Sequence, residues 1–202
     1  MSILNRSLLW MSAFSVVTGA VGLAAAAPRT HDGFYLDLEA GVGYLSSSAD
    51  DGVNEIGYSG ATYGSALFLG GTIGPVVIGG GLTYDNAFSP SAEIGGNEYE
   101  LDGLELHLIG FGAFVDVYPD PTEGLHFMGM LGWGGLEASL DGDVSGSDPT
   151  GMLLGVGGGY DFWVADEWSI GPLARLIYAP LSMDDVDYGT TQFTVAASFK
   201  YH

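Results

Sequence analysis

The C-terminal stretch Thr190–His202 reads Thr-Thr-Gln-Phe-Thr-Val-Ala-Ala-Ser-Phe-Lys-Tyr-His. Gln192, Thr194, Ala196, Ser198 and Lys200 alternate with Phe193, Val195, Ala197, Phe199 and Tyr201, the period-two signature of a strand with one small or polar face and one aromatic and aliphatic face. In a water-soluble protein the apolar face needs a covering layer. Behind a secretory leader it can turn to lipid instead, provided the strands close into a barrel that leaves no backbone polar group unpaired.

Such a leader is predicted over residues 1–26. Arg6 gives a weakly basic start, Leu8 to Ala24 carries no charge, and Ala24 to Ala27 supplies small residues for cleavage, with the cut placed after Ala26. An uncleaved anchor is the alternative, against which Gly19, Gly22 and the small-residue tail argue. The barrel domain is then 27–202. It holds three basic residues, Arg29, Arg175 and Lys200, against all 25 acidic ones, so a nucleic-acid partner is excluded for want of a basic surface. The absence of cysteine excludes disulfides, thiolate metal sites and a cysteine nucleophile. No apolar run after the leader is long enough and free enough of glycine for a spanning helix, so any crossing of a membrane is by strands.

Alternation predicts strands over 31–45, 60–73, 76–84, 103–117, 125–136, 152–164, 168–178 and 190–202. The segments between them run alternately long and short: 46–59, 85–102, 137–149 and 179–189 are polar and acidic, whereas 74–75, 119–121 and 165–167 are tight. The expected fold is all-β: an eight-stranded antiparallel up-and-down transmembrane barrel with long external loops and short periplasmic turns. Phe34, Tyr44, Tyr63, Tyr84, Trp133, Trp168, Tyr178 and Tyr201 would form two aromatic girdles. Pro172 is expected to mark a bulge or an irregular pairing.

Over essentially all of 27–202 the chain resembles the eight-stranded bacterial outer-membrane barrels of the OmpA/OmpW-like type. The resemblance rests on this architecture and on the final strand, which is similar to the terminal signal read by the barrel-assembly machinery. Phe193, Val195, Phe199 and Tyr201 carry that signal here. Chains of this group usually end on an aromatic, most often Phe, whereas this one ends Phe199-Lys200-Tyr201-His202, which leaves the terminal role to Tyr201. The resemblance implies a bacterial outer-membrane location, contacts with lipid, lipopolysaccharide and the assembly machinery, and a non-enzymatic role in structure or surface presentation. Its OmpW-like branch implies narrow passage of small apolar solutes. The alternative of another class is a soluble periplasmic ligand-binding barrel of lipocalin-like shape.

Period two places Arg175 on the inner face with Asp37, Glu39, Glu105 and Asp161, and an ion-pair network among them is expected because a lone guanidinium in a narrow lumen is costly. The same charges could serve as a gate or selectivity element. On strand four Glu105, His107, Ile109 and Phe111 are expected inside, Leu104, Leu106 and Leu108 outside. Glycines crowd the other inner faces, so large side chains from one wall would plug the lumen or leave a slender cavity. Fifteen of the 25 acidic residues fall in the four long segments and are expected to gather divalent cations loosely. Asp141, Asp143 and Ser145 match the first half of an EF-hand loop, but Met152 stands where the bidentate Glu belongs, so they are only a weak metal candidate. His126 is followed on its face by Met128, where a His-x-Ser hydrolase would place serine, and His107 has no serine on its strand; no enzymatic activity and no cofactor are expected.

Overall fold

The computed structural model describes residues 29–31, 33–50, 55–140, 143–144 and 148–202; the leader over 1–26 lies outside them. The described residues form β1 (Phe34–Asp50), β2 (Glu55–Ile73), β3 (Val76–Phe88), β4 (Ser91–Ile94), β5 (Asn97–Glu100), β6 (Leu104–Val117), β7 (Leu125–Leu140), β8 (Asp143–Val144), β9 (Thr150–Tyr160), β10 (Phe162–Trp163), β11 (Trp168–Met183) and β12 (Val186–Tyr201). Eight of these close a ring. The order β1-β2-β3-β6-β7-β9-β11-β12 returns to β1, every neighbour antiparallel. The hairpin β4–β5 adds to the far end of β2, β8 folds back on β7, and β10 prolongs β9 along β11.

Directly opposed residues, followed once round the ring, run Tyr35, Gly70, Gly79, Phe114, Met130, Gly155, Ile177, Gln192 and back to β1 at Leu45. The circuit climbs ten residues, from Tyr35 to Leu45, which for eight strands ~4.8 Å apart tilts them by about 40° from the barrel axis. All its side chains point inward, and each of the non-glycine residues is buried. Bulk and its absence alternate along this path for a steric reason. A Cβ on Gly79 would lie 2.7 Å from the Phe114 ring, so Tyr35 and Phe114 fill the space that Gly70 and Gly79 vacate.

Two expectations about the strands need correction. On β6 the faces are exchanged: Leu106, Leu108, Phe114 and Asp116 are buried in the lumen, while Ile109, Phe111 and Val115 lie exposed on the outer wall. The cause is that this sector of the lumen is itself apolar, so the clean run Leu104, Leu106, Leu108 marks packing inside the ring and not lipid. Second, most of the polar stretches 46–59 and 179–189 are paired strand. β1 and β2 stay in register to Asp50 opposite Glu55, and β11 and β12 to Met183 opposite Val186, which leaves Asp184-Asp185 as the turn. Ser47, Ala179 and Leu181 are buried there, but their neighbours are so largely polar that pairing continues with little apolar alternation to reveal it. Pro172 brings the irregular pairing expected of it, without a bulge. Opposite Pro172 and Pro180 the ladder to β9 is interrupted, whereas the ladder to β12 is unbroken from Trp168 to Met183, so the missing N–H groups cost pairing on one side only.

Both ends of the described chain meet at one mouth of the barrel. Residues 29–31 cross it, with the Arg29 N–H bonded to the Asp166 carbonyl (2.7 Å) and the His31 N–H to the Pro121 carbonyl (3.2 Å). The His202 N–H closes the other side on the Glu167 carbonyl at 2.9 Å.

Candidate functional site

The lumen divides into three levels. Midway along it, Arg175 from β11 donates through Nη1 to Glu39 Oε2 from β1, both side chains almost fully buried. The guanidinium carbon stands 5.8 Å from the Phe68 ring centroid. Above this pair Gln192 Nε2 donates to Thr62 Oγ1 (2.7 Å) and more weakly to Asp85 Oδ1 (3.4 Å), and Thr194 Oγ1 also donates to Asp85 Oδ1 (3.3 Å). Several polar atoms here have no hydrogen-bond partner among the described residues: Glu39 Oε1, Asp85 Oδ2, Gln192 Oε1 and Arg175 Nε.

Nearer the mouth that carries both chain ends, Lys200 is wholly buried and its Nζ reaches both oxygens of Asp161, at 3.0 and 2.9 Å. The same ammonium donates to His126 Nε2 (2.9 Å), and His126 Nδ1–H donates to Asp116 (3.0 Å). Tyr118 donates to Asp161 (2.9 Å), while the Tyr35 hydroxyl lies between Asp37 and Asp116. At the mouth itself His31 stacks on Tyr118 with centroids 3.6 Å apart, and His202 sits edge-on to it. Desolvation lowers His31 to about 4; it also lowers His202, helped by repulsion from His31, to about 2, so both imidazoles are neutral at ordinary pH.

The far half of the lumen is different in kind. Leu45, Leu106, Leu108, Leu136, Leu153 and Leu181 pack into one apolar cluster with Ile177 and Ala179. On the outer wall Leu38, Ser65, Leu67, Leu82, Tyr84 and Ile109 line an open groove of about 430 Å³.

Of the residues expected in the charge network, Arg175, Glu39, Asp37 and Asp161 are in the lumen, but Asp161 pairs with Lys200 and not with Arg175. Glu105 is not there. With β6 facing the other way it stands on the outside, its side chain 47 % exposed and 3.5 Å from His107. Three charged lumen residues were absent from the sequence-based set. Asp85 belongs to β3 and not to the loop after it, Asp116 follows from the corrected face of β6, and Lys200 already stood on the inner face of the final strand. Asp141 and Ser145 lie outside the described residues, and of Asp143 only its backbone pairing in β8 is described. His126 and Asp116 have the geometry of an acid–base dyad, yet the second ring nitrogen meets Lys200 and not a hydroxyl, and the ring is 3 % exposed.

The outer wall carries large apolar side chains in the open, among them Val42 (67 % exposed), Val156 (62 %) and Leu131 (55 %). Aromatics bracket them: Phe34, Phe127, Tyr160, Trp168 and Tyr201 towards the mouth, Tyr44, Tyr63, Trp133, Tyr178 and Phe193 towards the far end. Six to ten residues separate the two sets on one strand, from Phe127 to Trp133 at the least to Phe34 to Tyr44 at the most. At ~3.3 Å rise and ~40° tilt that is about 15–25 Å.

This is the fold of the small outer-membrane β-barrels. The chain is similar to neisserial surface protein A, at 16 % identity and a TM-score of 0.55 over 83 % of this chain and 96 % of that one. It is also similar to the outer-membrane protein OprG of Pseudomonas aeruginosa, at 11 % identity and a TM-score of 0.54 over 87 % and 99 %. No protein-family model matches the chain, and no curated relative does.

Proposed function

We propose that the protein is a non-enzymatic barrel of a bacterial outer membrane, with the mouth that carries both chain ends in the periplasm and the paired hairpins outside. The observation that carries this reading is the inversion of the usual arrangement: seven charged side chains are buried in the lumen, and an apolar belt about 15–25 Å tall, framed by aromatics, faces outward. Soluble monomers rarely expose contiguous apolar patches beyond a few hundred Å². A lipocalin-like carrier requires the reverse, a wet exterior around an apolar cavity, so the soluble alternative is disfavoured on the same ground.

The role is structural and surface-presenting. Glu93, Glu98, Glu100, Asp102, Asp184 and Asp187 give the far end an exposed acidic surface, suited to gathering divalent cations that bridge to anionic lipopolysaccharide. With the Leu45–Leu153 cluster across the lumen, the barrel is a closed scaffold. Residues 1–26 act as a removed signal peptide, and Phe193, Val195, Phe199 and Tyr201 present the strand read by the assembly machinery.

Fractionation with heat-modifiable gel migration tests this directly: the folded chain should require detergent for extraction and should migrate differently before and after boiling. Recovery from periplasm without detergent would end the membrane reading. Conductance of folded protein in planar bilayers then tests closure; steady channels from the wild type would favour narrow solute passage instead.

A further inference from the structure

The mouth holds a group of side chains that the barrel reading does not use. His31, from the segment before β1, and His202, directly after β12, point their Nδ1 atoms at one another across 3.1 Å. Two imidazole nitrogens bound to one tetrahedral ion at ~2.0–2.1 Å stand about 3.3 Å apart, so the pair is already spaced as two ligands of one metal. Asp161 supplies a third donor: a carboxylate oxygen and one ring nitrogen of each histidine all lie within 4.8 Å of one another. All three side chains are at least 98 % buried.

The outward nitrogens are fixed as metal-bound histidines require. His31 Nε2–H donates to the Glu123 carbonyl (3.1 Å), which leaves its Nδ1 as a bare lone pair. The proton between the rings therefore sits on His202 Nδ1, and His202 Nε2 faces the Ser169 hydroxyl at 3.0 Å. Moving that one proton from Nδ1 to Nε2, with the hydroxyl turned to accept it, frees both lone pairs for a cation without any net change in protonation. Asp161 is already held by Lys200 on both oxygens and by Tyr118 on Oδ2, which leaves a lone-pair direction on Oδ1 for a shared contact.

We propose that His31, His202 and Asp161 form a site for one divalent transition-metal ion, which clasps the segment before the first barrel strand to the end of the last. Two imidazoles and one carboxylate select zinc, copper or nickel over calcium and magnesium. Because β1 and β12 are the two strands that close the ring, an ion held between their ends stabilises the seam.

The test uses the full chain folded in detergent, loaded separately with Co²⁺ and Cu²⁺ and passed through gel filtration. The wild type should retain one ion per chain, with tetrahedral d–d absorption for Co²⁺ and nitrogen hyperfine structure from two imidazoles for Cu²⁺. The double variant His31→Asn, His202→Asn should lose that ion while still showing heat-modifiable migration. Weak binding by the acidic outer surface would persist in both and carry only oxygen ligands. The Cu²⁺ spectrum of the wild type decides the matter even if the double variant fails to fold: an oxygen-only spectrum, no retained ion, or equal retention by a folded double variant overturns the proposal.

Discussion

Replacing Arg175 by methionine removes the only cation that the described residues place in the middle of the lumen and leaves Glu39 buried without its partner. A unit charge pair in hydrogen-bond contact at an effective dielectric of ~20 is worth about 4 kcal/mol, and breaking a buried pair by deleting one member typically costs about 3–5 kcal/mol. The loss of the guanidinium near the Phe68 ring adds about 0.5–1 kcal/mol. An expected destabilisation of about 4 kcal/mol follows for Arg175→Met. Glu39→Gln should cost less, because Asp85 lies in the field of the same guanidinium and remains to balance it. The double variant Arg175→Met, Glu39→Gln removes both charges of the pair and should recover at least about 2 kcal/mol relative to the sum of the singles. The assay is urea unfolding of the barrel in lipid or detergent, followed by tryptophan fluorescence and by band shift, with reversibility shown for each variant. Singles that each cost under about 1 kcal/mol, or a cycle with no coupling, would refute the idea that this pair is desolvated and would point to a water-filled lumen.

Other consequences are checked in the same preparation. Gly81 faces the Phe68 ring, so Gly81→Ala must displace that ring and should cost about 1–3 kcal/mol; Gly80→Ala, whose new Cβ comes no closer than 3.7 Å to the Gly112 carbonyl, should stay within about 0.5 kcal/mol. Wild-type barrel should be silent in planar bilayers, and Leu108→Ser combined with Leu153→Ser should produce conductance, because both side chains are fully buried in the apolar cluster; a silent double variant that is correctly folded would place the seal elsewhere. Deleting Tyr201-His202 removes a ring packed 5.1 Å from Trp168 and a hydroxyl bonded to Glu167 at 2.7 Å, and should slow insertion, whereas Tyr201→Phe should not; normal insertion of the truncated chain would sink the terminal-aromatic role.

The final strand was legible because it meets lipid on one side and polar lumen on the other, so its alternation is one of chemistry as well as of size. Arg175 and Glu39 were legible for the same reason, being charges on otherwise clean inner faces. β6 was not. With Leu106 and Leu108 in an apolar part of the lumen and Ile109 and Phe111 on the outer wall, hydrophobicity is equal on both faces, and Asp116 near its end was the residue that could have decided the face. Asp85 was hidden by the strand's polar finish, Asp85-Asn86, which reads as the start of a loop. Lys200 stood on the assigned inner face but so near the end of the chain that its burial depended on the cap made by residues 29–31 and the turn before β11. That cap, and the meeting of His31 with His202 across 171 positions, is a long-range consequence of ring closure that no local pattern reports.

A membrane-spanning barrel has lipid against its outer wall and a packed lumen shut off from it, and the chain's lack of cysteine makes one measurement of this clean. Single cysteines at Leu131, Leu154, Val156, Leu176 and Val195, and at the inward positions Met130 and Ile177, can each carry a spin label without background labelling. In vesicles the five outward labels should be highly accessible to oxygen and shielded from a water-soluble nickel chelate, while the inward labels are shielded from both. Outward labels open to the chelate would contradict the membrane-spanning barrel.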